Sequence, residues 1–307
     1  MIPLTEVAAD VFELRLPIPF EDGLVNVFLF KDGAEVDMLD CGMNSGESLE
    51  SIRLAMDHLG AGRLRRLAVT HIHPDHYGAA GMLAGEGLAD LYIHRLEVPL
   101  VHPRYVELEH LVKEVRTYLL VNGLPSEEAE VLSNSQRALS QLVKTAEPSV
   151  QLEGAESLQM GRRRLRVEWT PGHSPGHICL FDETDKLLFA GDHMLPELSP
   201  NIGLHPQSTP DPLHEYLEGS SGSRATGRDS SCLLTDDRSP APRTGRTPWS
   251  RITAGVSSRS SRSWVGRRSP AGRLRSNSGV PAASSMRRGW RSRKVSPISR
   301  RWPSTAC

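Results

Sequence analysis

Three features of the 307-residue chain predict an α/β layered domain. Short apolar or alternating runs, punctuated by Gly, Asp and Pro, take turns with stretches at helical spacing. Segments rich in histidine and aspartate stand directly after several of the apolar runs. All of this periodicity stops after Glu218.

The elements follow in order. Val11–Ile18, Leu24–Phe30 and Ala34–Gly42 read as strands. Residues 45–60 read as a helix, with Ser45 as N-cap, Leu49, Ile52 and Met56 on one face, and Gly60 beyond the end. Leu64–Thr70 is a buried strand running into a histidine cluster. A helical stretch spans about Tyr105 to Thr145, with Leu108, Leu111, Val112, Val115 and Leu119 at helical spacing. It is broken at Gly123-Leu124-Pro125 and restarted at Ser126. Strand signals return at Arg163–Thr170 and Lys186–Asp192.

From Gly219 onward the composition changes. That segment holds 18 arginines and one lysine against three aspartates, a charge of +16, with no Glu and no His. Residues 1–218 carry 17 basic and 34 acidic side chains, a charge of −17. The overall −1 therefore averages two opposite parts. Twenty-one serines among its 89 residues, and no amphipathic period, predict a disordered low-complexity tail at 219–307 beside a folded domain at 1–218. Cys41, Cys179, Cys232 and Cys307 show neither zinc-type pairing nor a dense disulfide framework. The first residues lack the basic start and apolar run of a secretory signal, and no stretch approaches the roughly 18 apolar residues of a membrane span. A cytoplasmic protein without a membrane partner is expected.

The chemistry is concentrated in Thr70–Gly78, "THIHPDHYG". Alternate residues of a loop at a strand's end can turn toward one point, so His71 and His73 can share a metal while Asp75 and His76 serve a neighbouring one. Imidazole nitrogen and carboxylate oxygen suit zinc. The competing reading is a solvated, histidine-rich loop. Two later segments strengthen the metal reading. "TPGHSPGH" (Thr170–His177) would add His173 to the first metal, and "LLFAGDHM" (Leu187–Met194) would add Asp192 as a bridge through its two oxygens.

With these three motifs in this order, residues 7–218 resemble the metallo-β-lactamase-fold hydrolases. The resemblance implies a four-layer αββα sandwich with a dinuclear site at the strand ends. His71, His73 and His173 would hold one zinc; Asp75, His76 and Asp192 would hold the other, iron or manganese being alternatives. It implies a metal-bound hydroxide as nucleophile, with Asp75 as the catalytic group that orients it and shuttles its proton. Asp40 would stand behind the ligand loop and orient an imidazole, its rival role being the cap of the turn before Gly42. His177 and His193 lie beside the motifs without being ligands, so supporting or plain polar roles fall to them. His205 is either a cleft residue or a surface-loop one. Asp192 stands where some zinc β-lactamases place a cysteine ligand and argues against that type. The expected substrate is a small-molecule ester or thioester, as in hydroxyacylglutathione hydrolase (glyoxalase II). RNA phosphodiester cleavage, as in β-lactamase-like endonucleases, is the alternative.

The resemblance also calls for a further ligand histidine in a segment like "LPAHG", a few tens of residues past the Gly-Asp motif. No histidine follows His214, and His205 and His214 come too early. Ser231–Arg238 can be encoded TCC TGC CTG CTC ACG GAC GAC CG, and reading that string from its third letter gives Leu-Pro-Ala-His-Gly-Arg-Pro. Suitable codons at the same offset turn "GSSGS" into Leu-Val-Arg-Leu and "WSRITAG" into Glu-Pro-His-His-Arg-Arg. A frameshift near Glu218 then accounts for the composition break, the charge reversal and the missing ligand together, and it leaves the domain's C-terminal part incomplete. The rival is a catalytically impaired protein whose arginine-rich tail binds nucleic acid, with Trp249, Trp264, Trp290 and Trp302 available to stack on bases.

Overall fold

Two sheets organise the chain. The computed structural model describes residues 3–19, 23–195, 199–227 and 231–233. The first sheet has seven strands in sequence order: β1 (Leu4–Ala8), β2 (Val11–Pro17), β3 (Leu24–Asp32), β4 (Glu35–Leu39), β5 (Arg63–Ala68), β6 (Asp90–His94) and β7 (Val150–Leu152). β1 to β4 form an antiparallel meander, whereas β4 to β7 are parallel and need crossovers. Helix α1 (Gly46–His58) supplies the first crossover. The short α2 (Pro74–Tyr77) and α3 (Ala80–Leu83) lie in the second, and α4 (Val98–Tyr105), α5 (Leu108–Val121) and α6 (Ser126–Ser140) in the third. The second sheet contains β8 (Ser157–Met160), β9 (Arg163–Trp169), β10 (Ile178–Asp182), β11 (Leu187–Phe189) and β12 (Ser231–Leu233). Its order is β12-β11-β10-β9-β8, antiparallel except for β11 with β12. Helix α7 (Pro212–Gly227) precedes β12.

The period-2 alternation of a strand explains why β3 is apolar from Val27 to Phe30, with both of its faces covered. Val25, Val27 and Leu29 face a core shared with Ile52 and Ala55 of α1, and Phe28 and Phe30 face the other sheet. There Phe189 of β11 meets Phe28 edge-on at 5.0 Å and Phe30 at 5.2 Å between ring centroids. The same inter-sheet core takes Leu158, Leu165, Val167 and Leu180. Ser45 caps α1, its Oγ accepting the Ser48 N–H at 3.1 Å, and Ile52 is buried with Leu49 and Met56 packed beside it. A buried carboxylate ties the far ends of the sheets together. Asp37 accepts from Arg65 (2.8 and 3.0 Å), from Arg66 (3.2 Å) and from the Gly161 N–H at 2.7 Å.

Two sequence boundaries shift. The helical stretch expected from Tyr105 begins earlier, because α4 opens at Val98 and its last residue is Tyr105. The ordered part does not end at Glu218 either: α7 continues to Gly227, and β12 pairs with β11 in register from Leu187↔Ser231 to Phe189↔Leu233. Backbone hydrogen bonding to an existing strand needs no amphipathic pattern, which is why composition alone misplaces this edge. Everything else expected of the tail, including its disorder and its four tryptophans, lies outside the described residues. Among the described residues, no helix is long and apolar enough to cross a membrane.

Candidate metal centre

The C-terminal ends of β4, β5 and β6 converge with the loops that precede β10 and follow β11. One backbone bond joins the sheets at this point, from Ile178 N–H to the Thr70 carbonyl at 2.9 Å. The chain leaves β4 through Asp40, whose φ of +60° lies in the left-handed region that aspartate tolerates better than most residues. That turn aims the Asp40 carboxylate inward. It accepts the Thr70 N–H at 2.7 Å and the Thr70 hydroxyl at 2.9 and 3.0 Å, and it lies 2.8 Å from His76 Nδ1. These are contacts across 30 and 36 residues, so Asp40 does far more than cap its own turn.

His71, His73 and His173 bring their ring nitrogens to one point. His173 Nε2 lies 2.8 Å from His73 Nδ1 and 3.2 Å from His71 Nε2. The opposite nitrogens have partners: His173 Nδ1–H donates to the Asn201 carbonyl at 2.9 Å, and His71 Nδ1 meets the Thr70 hydroxyl at 3.1 Å. Burial, followed by the charges of neighbouring histidines or Arg104, pushes His71 and His73 well below the ordinary imidazole range. Three imidazoles and the Asp192 carboxylate that bring their ligand atoms within 4.8 Å of one another are a donor set that fits a metal.

Asp75, His76 and Asp192 form the adjoining set. His76 Nε2 is buried with no well-formed hydrogen bond, yet it faces Asp192 Oδ1 at 3.2 Å and Asp75 Oδ2 at 3.5 Å. The other Asp192 oxygen lies 3.4 Å from His173 Nε2, so one carboxylate reaches both sets. Burial alone would lower His76, but Asp192, Asp75 and Asp40 outweigh it and hold the ring well above its usual range. Burial by itself would raise Asp192, and the charges of His76, His173 and His73 reverse this and hold it well below the carboxylate range. Asp75 goes up, because burial and Asp192 together exceed the pull of His76.

Supporting residues fix the Asp192 loop. His177 Nε2 accepts the Asp192 N–H at 3.1 Å, which leaves its Nδ1–H to donate to the Thr170 hydroxyl at 2.8 Å. Gly191 has φ +49°, and a Cβ there would stand 2.7 Å from His177 Nε2. His193 is fully buried beside Tyr216, whose hydroxyl donates to its carbonyl at 3.2 Å. Half-buried His205 is pushed down to about 4 by burial, by Arg104 and by His173. Sequence reasoning overlooked Thr70, Tyr105 and Glu97. Thr70 stands inside the quoted motif and carried a visible signal. The other two act through contacts no local pattern reveals.

The class is set by this frame and by the pattern of ligands at its strand ends. The chain belongs to the metallo-beta-lactamase superfamily, whose family profile matches residues 21–230, and the fold is that family's mixed α/β sandwich. Among individual relatives, the chain is 27% identical over 199 residues to the probable metallo-hydrolase YqjP of Bacillus subtilis, covering 62% of this chain and 59% of that protein. It is 30% identical over 174 residues to the human acyl-coenzyme A thioesterase MBLAC2, covering 54% and 57%. The match thus spans under three fifths of the length of these curated relatives. Of solved structures, the metallo-beta-lactamase family protein TTHA1429 from Thermus thermophilus superposes with a TM-score of 0.68 at 28% identity, covering 76% of this chain and 75% of that one.

Proposed function

We propose that this chain is a metal-dependent hydrolase of acyl thioesters with a dinuclear centre. The observation that carries the reading is Asp192, which belongs to both candidate ligand sets. His71, His73 and His173 would hold one ion, and Asp75, His76 and Asp192 the other, zinc being the ion these donors suit. Bound there, the ions would polarise the scissile carbonyl and make water a nucleophile near neutral pH. The remaining work falls to side chains. Asp40 anchors His76 through Nδ1 and so fixes where Nε2 points. Asp75, raised by burial, suits a group that takes a proton from the attacking water. As the water oxygen bonds to the acyl carbon and the carbon–sulfur bond breaks, that proton can pass to the leaving thiolate. A thioester is favoured over a phosphodiester because the human relative is named an acyl-coenzyme A thioesterase. The test is turnover of acyl-coenzyme A by the zinc-loaded protein beside a bis-aryl phosphodiester. Thioester cleavage that falls roughly 100-fold or more in Asp75→Asn supports the reading. Preference for the phosphodiester, or an unaffected Asp75→Asn, contradicts it.

The tail belongs to the same proposal. β12 ends at Leu233 opposite Phe189, two residues before Gly191-Asp192, and the offset frame would encode its histidine across the codons of Leu234 and Thr235. A frameshift near Glu218 therefore explains the missing ligand better than an evolved basic tail. DNA sequencing across codons 210–240 decides it: a lost or gained base supports the frameshift, and an independently confirmed intact frame rejects it.

A further inference from the structure

Glu97 stands at the junction of β6 and α4, outside both ligand sets. Its side chain is fully buried, and no Lys or Arg pairs with it among the described residues. Each oxygen instead takes one backbone N–H. Oε2 accepts from Ile72 at 3.0 Å, and Oε1 accepts from Gly176 at 2.7 Å. Ile72 is the residue between His71 and His73, and Gly176 lies between His173 and His177. One carboxylate thus ties two loops whose histidines are a hundred residues apart in sequence and meet at the same point.

Two further contacts show that the arrangement is specific. The Ile72 carbonyl accepts the Tyr105 hydroxyl at 2.6 Å, so the two ends of α4 hold Ile72 by its N–H and its C=O. At Gly176 a Cβ would meet Glu97 Cγ at 2.7 Å and His94 Nδ1 at 2.8 Å, so only glycine lets the carboxylate approach this peptide. A buried carboxylate is costly unless its oxygens are satisfied, and here the groups that satisfy it are the backbones of the ligand loops.

We propose that Glu97 is a positioning residue for the three-histidine site: it sets the separation of the His71–His73 loop from the His173 loop and so preorganises the imidazoles for a metal ion. The inference rests on the metal-centre reading above and goes beyond it in assigning this role to a residue that touches no ligand side chain.

The experiment measures zinc affinity by competition with a chromophoric chelator for the full chain and for Glu97→Gln, Tyr105→Phe and Asp37→Asn, together with the visible spectrum of the cobalt-loaded forms. Glutamine keeps the size but turns an NH2 group against one of the two N–H donors. The tighter ion should be bound about 10- to 100-fold more weakly in Glu97→Gln, with an altered cobalt spectrum, and Tyr105→Phe should shift both in the same direction by less. Asp37→Asn removes another buried carboxylate, one that does not touch the ligand loops; it should lower the unfolding temperature and leave affinity and spectrum alone. Unchanged affinity in Glu97→Gln, or an equal loss in Asp37→Asn, overturns the proposal. Should Glu97→Gln not fold, Tyr105→Phe decides, and unchanged affinity there overturns it as well. A parent chain that binds no zinc would instead overturn the metal-centre reading from which the proposal starts.

Discussion

Single residues do most of the aiming at this centre, and backbone conformation is part of how they do it. Asp40 reaches His76 because its own φ is positive, and Asp192 stands between the two ligand sets because Gly191 turns the chain at φ +49° with nothing but hydrogen facing His177. A left-handed conformation in a residue with a Cβ costs roughly 1–3 kcal/mol, and in Gly191→Ala the new methyl would also collide with His177. That variant is expected to lose at least this much stability in urea unfolding and to bind both ions more weakly, because His177 and the Asp192 N–H must part. Retained stability with full metal binding would show that the loop has room the structure does not reveal.

At the scale of elements, strand β11 is only three residues long yet delivers Asp192. Register with β10 and the wedge of Phe189 between Phe28 and Phe30 hold it in place. Phe189→Ala should cost about 3–5 kcal/mol in unfolding free energy, the usual range for a buried aromatic in a packed core; a cost below about 1 kcal/mol would mean that the two sheets are not packed as described. Of the strands that lead into the motifs, β11 was legible because it is buried and apolar throughout, and β5 and β9 because buried apolar residues recur among their charged ones. β1 and β8 were not, since their outward residues are exposed and their pairing is set by neighbours far along the chain. The site divides in the same way. The ligand candidates advertise themselves by residue type and spacing, whereas Glu97 and Tyr105 bond to the backbone of Ile72, and a lone Glu or Tyr before or within a helix looks ordinary. The end of α7 was missed for another reason: hydrophobic pattern fades at Glu218 while the backbone stays helical to Gly227.

For the whole molecule, buried histidines give the metal-free protein a direction of pH sensitivity. His193 is pushed down to about 4 by burial and by the charge of His173, and His205 to about 4 by burial, Arg104 and His173. Both stay neutral in the folded chain while the unfolded imidazole takes up a proton below its ordinary value of 6.5. Their contribution to stability is therefore present above 6.5 and lost as pH falls toward 4. His76 runs the other way: its raised value makes its contribution present below 6.5 and lost as pH rises. With several imidazoles depressed and one raised, the unfolding temperature of the metal-free chain should fall between pH 6.5 and 4. It should fall less in His205→Gln, which removes one of the depressed groups. An equal fall in both would place the acid sensitivity elsewhere.

At the heart of the centre, one carboxylate belongs to two candidate ligand groups. Asp192 lies 3.2 Å from His76 and 3.4 Å from His173, and it is the only residue common to the two candidate ligand groups among the described residues. The most direct measurement is a zinc titration with chelator competition on the parent chain and on Asp192→Asn, followed to two ions per chain. The parent should bind one ion tightly through three histidines and Asp192, and a second more weakly, its set being two carboxylates and one histidine. The single substitution should weaken both steps. If Asp192→Asn leaves both steps unchanged, or weakens one and spares the other, the centre is not built around a shared Asp192 and the dinuclear reading fails.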